Sequence, residues 1–175
     1  FIRITDDINA SALNAGTYEE NNPAIQNVRA SGANFVVGDT STTLAVTRPA
    51  IATASGGAYN LYSATATSNA ALLGGMAFAF HGTGFGVNFV RNTFSDVVEV
   101  CYLPINIGIL PFSSDDIKDV LNEGDCVTYD NYSTSVVYNQ VRTTQGLPEA
   151  DYAVVVRMLS DNGYLPHVLT PHLHT

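Results

Sequence analysis

The segment Met76–Val90 constrains the fold more than any other part of the chain. Large side chains occupy every second position in two runs, Met76/Phe78/Phe80 and Phe85/Val87/Phe89. Between the runs lies the sequence His81-Gly82-Thr83-Gly84. A period of two is typical of half-buried strands, and a short glycine-rich segment between two such strands predicts a turn. We therefore expect a hairpin in an antiparallel sheet covered on one face, as in a β-sandwich.

Further strand-like runs alternate with turn signals along the rest of the chain. The predicted strands are the two of the hairpin, Leu73–His81 and Phe85–Arg91, together with Phe1–Thr5, Ile25–Ala30, Asn34–Val37, Thr43–Val46, Tyr59–Ala66, Val97–Leu103, Cys126–Tyr129, Val136–Thr143, Tyr152–Leu159 and Val168–His174. The predicted helix covers Asp115–Glu123, with Ser114 as its N-cap and Gly124 as its stop. The predicted core contains Phe78, Phe80, Val87, Phe89, Val98, Val100, Val154 and Val156.

The composition predicts one domain and excludes several classes of partner. A chain of 175 residues with 46% hydrophobic side chains buries a core as a single domain, residues 1–175. The net charge of −9 repels phosphate backbones and anionic lipids, so we expect no nucleic-acid partner. No run reaches the roughly 18 apolar residues of a membrane span, so membrane insertion is not expected.

Two features indicate a secreted protein. Only 13% of the residues are charged, and Ser, Thr, Asn and Gly supply most of the polar surface. The sequence begins at Phe1 without a methionine, which fits the removal of a secretory leader. In an oxidising compartment Cys101 and Cys126 would form a disulfide, whereas the alternative is two buried free thiols.

Several short motifs occur in an order that resembles a known family. They are Asp6-Asp7 after a first strand, Gly56-Gly57-Ala58-Tyr59 before a strand, Phe78–Val90, Val97–Val100, Tyr129 through Tyr132-Ser133, and Gly146-Leu147-Pro148 before Tyr152–Val156. This order resembles the jelly-roll, galactose-binding-like β-sandwich modules of secreted bacterial and archaeal surface proteins, which include many carbohydrate-binding modules. The resemblance implies an all-β, two-sheet antiparallel jelly-roll β-sandwich with one short helix in an insertion.

The chain also departs from this family. Where such modules have a short turn, this chain has the insertion Leu103–Asp125, with the two cysteines at its base. The resemblance implies a structural calcium near the first strand, for which Asp6 and Asp7 are the candidate ligands. Acidic residues of the insertion are a second calcium candidate, with a solvated helix face as the alternative. No other cofactor is expected.

No set of residues predicts catalysis, and we expect that the protein is not an enzyme. The glycines around Thr83 lack the helix and the lysine of a phosphate-binding loop. A metal site at His167, His172 and His174 competes with a simple solvated or packed tail. Two glycosylation sequons begin at Asn9 and Asn131, and both fall in turn-like segments.

The termini suggest self-assembly. Phe1, Ile2 and Ile4 give the N-terminal segment enough apolar surface to be donated as a strand to the sheet edge of another copy. The alternative is that this segment pairs within its own sheet. Val168–Thr175 is a second candidate donor, but Pro166 and Pro171 restrict ladder pairing there to edges.

Three functions remain open from the sequence. The first is a secreted structural subunit that assembles with copies of itself into an extracellular filament or surface layer, with an adhesive role. The second is a non-catalytic carbohydrate-binding module that binds glycans on a shallow sheet face or on a rim of loops. Sugar platforms are built from exposed aromatic rings, Trp most often, and the chain has nine tyrosines but no tryptophan. The third is a jelly-roll viral capsid protein.

Overall fold

The fold is that of a computed structural model of the 175-residue chain. The structure describes residues 2–4, 13, 16–18, 22, 24–31, 34–37, 44–47, 60–64, 75–93, 97–105, 112–159 and 172–173. The strands are β1 (Ile2–Ile4), β2 (Gly16–Tyr18), β3 (Gln26–Ser31), β4 (Asn34–Val37), β5 (Leu44–Thr47), β6 (Asn60–Ala64), β7 (Gly75–Arg91), β8 (Val97–Pro104), β9 (Asp125–Asp130), β10 (Val137–Met158) and β11 (His172–Leu173). The helix is α1 (Ser114–Glu123).

The strands form one curled antiparallel sheet, which confirms the predicted all-β class with a single short helix among the described residues. The main path runs β5-β6-β11-β7-β10-β8-β9. Strands β1 and β3 also pair with β7. Strand β2 pairs with β1, and strand β4 pairs with β3. The division into two sheets that defines a sandwich stays a prediction, because hydrogen bonds connect all eleven strands.

The predicted hairpin at His81–Gly84 is wrong. Residues Gly75–Arg91 form one strand of 17 residues, and both of its halves pair with the 22-residue β10 rather than with each other. The glycine segment bends the strand instead of reversing it. Gly82 has a φ of 150°, a conformation that glycine adopts without the steric cost of a Cβ. The two predicted strands Val136–Thr143 and Tyr152–Leu159 are likewise one strand.

A bulge in β10 lies opposite this bend. Gln145 pairs with Gly84 and Ala150 pairs with Gly82. Between these pairs β10 contains residues 146–149, whereas β7 contains only Thr83. Such a mismatch increases the local twist and lets two long paired strands curl together.

The main core lies inside the curl, and all eight predicted core residues belong to it. Its members are Leu13, Ile25, Met76, Phe78, Phe80, Phe85, Val87, Phe89, Val98, Val100, Tyr152, Val154, Val156 and Met158. The opposite face of the same sheet is also buried, which the half-buried pattern did not predict. This helix-side core contains Val28, Ala77, Ala79, Cys101, Phe112, Ile117, Val120, Ala153 and Val155.

Helix α1 covers that second face. Its apolar residues Ile117 and Val120 are buried, and small alanines on β7 and β10 lie beneath them in the helix-side core. The N-cap is Ser113 rather than Ser114, because the Ser113 hydroxyl accepts a hydrogen bond from the Asp116 amide and the Asp116 carboxylate accepts one from Ser113 in return. The Ser114 hydroxyl instead accepts a bond from the backbone amide of Phe35, which ties α1 to β4.

A disulfide joins Cys101 to Cys126, as predicted. The two residues are directly paired between β8 and β9, so the bond closes the base of the insertion that carries α1. Cys101 is fully buried, whereas Cys126 is exposed. Among the described residues, no helix is long and apolar enough to cross a membrane.

Candidate functional site

Strand β9 forms one end of the sheet. It pairs only with β8 among the described residues, so its other edge has no neighbouring strand there. Five of its six side chains are exposed, and the exposed fraction of Val127 in the middle is 43%. An edge without a partner offers backbone N–H and C=O groups to another strand. The only charged residues of β9 are its ends, Asp125 and Asp130, so no charge protects the middle of the edge.

The Tyr129 ring connects this edge to the other half of the curl. Tyr129 packs against the main core, and the Arg142 guanidinium on β10 lies 5.1 Å from the centre of its ring. Arg142 pairs with Val87, which places it on the core face of β10. This cation–π contact therefore links the edge strand to the facing part of the sheet and limits the movement of β9.

Four large hydrophobic side chains are exposed among the described residues, and all lie in or near the segment from β9 to β10. They are Val127, Tyr132, Val136 and Val141. Single exposed hydrophobic residues are common on protein surfaces. Val127 lies in the middle of the β9 edge, where an added strand would cover it.

A second site lies at the bend of β7, where His81 is held between two carboxylates. Its Nδ1 is 2.8 Å from Oδ1 of Asp151, the residue directly opposite on β10, and its Nε2 is 3.6 Å from Oε1 of Glu149. The hydrogen bond to Asp151 is the main reason that the pKa of His81 is raised above that of a free imidazole. Partial burial opposes this effect, and the charges of Asp151 and Glu149 add to it.

The bulge next to His81 is also attached to the main core. The hydroxyl of Tyr152 donates a hydrogen bond of 2.8 Å to the backbone oxygen of Pro148. Leu147 and Ala150 are partly buried against the main core. Burial raises the pKa of Tyr152, so this hydroxyl stays protonated through the neutral range.

One group of side chains among the described residues has the spacing of metal ligands, namely Glu99, Cys101 and Cys126. The two sulfur atoms are bonded to each other and are not thiolates, so they are not available as ligands. Glu99 forms an ion pair with Arg157, its direct neighbour across β8 and β10. We therefore interpret this group as structural.

The acidic residues of the insertion also have structural contacts. Asp116 belongs to the capping box, and the Asp115 carboxylate lies 3.2 Å from Nζ of Lys118. Lys118 also donates a hydrogen bond to Oδ1 of Asn34 on β4. These contacts are those of a solvated helix face, and calcium binding by the insertion stays a prediction.

The structure describes only part of the sequence-predicted sites. Asn131 is 1% exposed, a burial that does not favour attachment of a glycan, and glycosylation of the chain stays a prediction. Ile2 and Ile4 lie in β1, which pairs with β2 on one side and β7 on the other, as in the intramolecular alternative. Phe1, Asp6, Asp7, Asn9, His167 and His174 lie outside the described residues, as does the side chain of His172.

Sequence reasoning missed His81, Asp151 and Glu149 because 70 positions separate the histidine from its closest carboxylate. The signal in the sequence was a histidine directly before a glycine, together with two acidic residues shortly after a glycine and a proline.

Comparisons of the chain with protein-family models, with curated proteins and with solved structures yield no match.

Proposed function

We propose that this protein is a secreted, non-catalytic structural subunit that assembles with copies of itself into an extracellular filament or surface layer, and that the edge of β9 is one of the surfaces through which neighbouring subunits are joined. The single observation that carries the proposal is this edge. Its middle residues, Val127 and Thr128, are exposed and uncharged, and β9 has a neighbour on one side only in the described part of the chain.

Two further contacts favour the edge as a docking surface. The disulfide fixes the register of β9 against β8, and the contact between Arg142 and Tyr129 holds β9 against β10. An edge fixed in this way loses little conformational entropy when another strand is added to it. Backbone hydrogen bonds along the six residues, together with burial of Val127, would supply the attraction.

The N-terminal strand remains the second route to assembly. Because β1 pairs with two strands of its own chain, donation to another copy requires exchange of β1 between subunits. Addition to the β9 edge requires no such exchange. We therefore favour the edge, and the experiment below distinguishes the two routes.

The test compares the full chain with its Val127→Lys variant by sedimentation velocity over a range of concentrations and by electron microscopy. A lysine in the middle of an edge strand opposes strand addition, and an exposed position tolerates it. We expect assemblies of the unchanged chain and monomers of the variant, with identical circular dichroism spectra. Val136→Lys is the matched control, because Val136 is 54% exposed but precedes β10 rather than lying in an edge strand; this variant should assemble normally.

Two outcomes would contradict the proposal. An unchanged chain that stays monomeric at every concentration rejects self-assembly. Assembly of the Val127→Lys variant to the same extent as the unchanged chain rejects the β9 edge as the contact. Assembly would then occur by exchange of β1, and deletion of residues 1–5 should abolish it.

The alternative of a carbohydrate-binding module is favoured by one observation. The Tyr132 side chain is 50% exposed, and its backbone is held in place because Arg91 donates a hydrogen bond of 2.8 Å to its carbonyl oxygen. An exposed aromatic ring on a fixed backbone is suited to stacking on a sugar. Glycan binding that Tyr132→Ala abolishes and Val127→Lys leaves intact would support this function over self-assembly.

A further inference from the structure

We infer that the bulge of β10, residues 146–149, is a lid over one end of the main core that protonated His81 holds closed. This inference is independent of the proposed self-assembly. It depends on the position of the bulge, on its two attachments and on the different response of these attachments to pH.

The bulge lies beside a cluster of aromatic rings. Leu147 packs against the main core, and Tyr152, whose hydroxyl bonds the Pro148 oxygen of the bulge, stacks on Phe80 with ring centres 5.2 Å apart. Phe85 contacts both Phe80 and Tyr102 there, at 5.3 Å and 5.8 Å between centres. Movement of Leu147 away from the core would expose this end of the cluster to water.

Two side chains attach the bulge to the rest of the sheet. Tyr152 donates a hydrogen bond to the Pro148 oxygen, and His81 contacts the Glu149 carboxylate. The first attachment does not change in the neutral range, because burial raises the pKa of Tyr152. The second attachment depends on the charge of the imidazole.

Both ring nitrogens of His81 face a carboxylate. Protonated imidazole donates from both nitrogens, so it bridges Asp151 and Glu149. Neutral imidazole has a proton on one nitrogen only. The shorter contact is the one to Asp151, so the proton stays on Nδ1 and is donated to that carboxylate. The Nε2 lone pair then faces the Glu149 carboxylate, and the attraction becomes a repulsion.

The surroundings of His81 contain no competing charge in the described part of the chain. The ionisable groups facing the ring are Asp151 and Glu149, both on β10. On the other side of β7, the His81 amide donates to the backbone oxygen of Leu13, which carries no net charge. Loss of the His81 proton therefore weakens the contact with Glu149 at the end of the bulge. Asp151 stays paired with His81 between β7 and β10.

The test is amide hydrogen exchange of Gly146, Leu147 and Glu149 in the full chain between pH 6 and pH 8.5. Each measured rate is compared with the intrinsic exchange rate of the unfolded chain at the same pH. We expect the protection of these amides to fall by about 1.5- to 5-fold as His81 loses its proton, the range of a surface ion pair. His81→Gln should show the low protection at every pH. Glu123→Gln, in the exposed last turn of α1, is the control and should behave as the unchanged chain.

A second variant keeps the inference testable if His81→Gln disturbs the strand. Glu149→Gln leaves the bond between His81 and Asp151 in place and removes the charge that His81 attracts. It should therefore show pH-independent protection of the bulge. Protection that is independent of pH in the unchanged chain, or an unchanged pH response in Glu149→Gln, would overturn the inference.

Discussion

The rings of Phe78 and Phe85 lie edge to face with centres 6.0 Å apart, although both residues belong to the same strand. Seven residues of straight strand would separate them by about 23 Å. The strand therefore bends sharply between them, at the position of Gly82. As a consequence, one β-strand contributes side chains to the main core from two directions, and the sheet curls around its own aromatic residues.

Phe80 is central to this arrangement, since its ring contacts both Phe85 and Tyr152. Truncation of Phe80 to Ala should lower the free energy of unfolding by about 3–5 kcal/mol, because it leaves a cavity among buried rings. Urea denaturation measures this change. Val141→Ala, at an exposed position on β10, is the control and should change stability by less than about 0.5 kcal/mol. Equal effects of the two variants would contradict the curled core.

Gly75 is expected to tolerate no side chain. A Cβ there would lie 1.8 Å from the backbone oxygen of Val156, and backbone atoms of a central strand cannot move aside. Gly75→Ala should therefore cost about 3 kcal/mol or more in thermal unfolding. Gly86→Ala is the matched comparison, because the atoms nearest to its Cβ would be side-chain methyl groups of Val141 and Thr143, at 3.1 Å and 3.2 Å. We expect a cost below about 1 kcal/mol there; the reverse order would show that the strand pairing is incorrect.

Removal of the disulfide should destabilise the fold without abolishing it. Cys101 and Cys126 are separated by 25 positions, and a loop of this length restricts the unfolded chain by about 3 kcal/mol. The double variant Cys101→Ala/Cys126→Ala should show this loss in urea denaturation and should no longer respond to reductant. Intact-mass analysis after alkylation without reductant checks the bond directly. Two labelled thiols in the unchanged protein would exclude it.

The stability of the protein should depend on pH through His81. Its pKa is higher in the folded than in the unfolded chain, where it is about 6.5. A group whose pKa is raised by folding stabilises the folded chain fully at a pH below its unfolded pKa. This contribution to the unfolding free energy is lost as the pH rises through the folded pKa. The difference in unfolding free energy between the unchanged chain and His81→Gln should therefore be constant below about pH 6 and decrease above it. A difference that grows with pH would mean that the native site favours neutral imidazole.

The sequence by itself determined the fold class and much of the core. The alternation of large and small residues is local information, and it identified Phe78, Phe80, Val87 and Phe89 as buried because side chains of a strand point to opposite faces in turn. The helix was also readable, since a serine near its start and a terminal glycine lie within about a dozen positions, although its N-cap is Ser113 rather than Ser114.

Tertiary structure alone decided what the glycine segment does. His81-Gly82-Thr83-Gly84 is compatible with a hairpin turn and with a bend in one strand, because both need the same backbone freedom. Pairing with β10 selects the bend, and that choice depends on residues more than fifty positions away. The same pairing buries Ala77 and Ala79 under α1, on a face that the alternation predicted to be exposed.

The candidate sites follow the same division. Cys101 and Cys126 were recognisable as a pair because a chain with only two cysteines leaves one possible bond. The bridge from His81 to Asp151 and Glu149, the burial of Asn131 and the open edge of β9 were not recognisable from sequence. Each depends on which strands become neighbours. The hydrophobic pattern of a strand determines which of its faces is buried, but it does not determine which strand lies beside it.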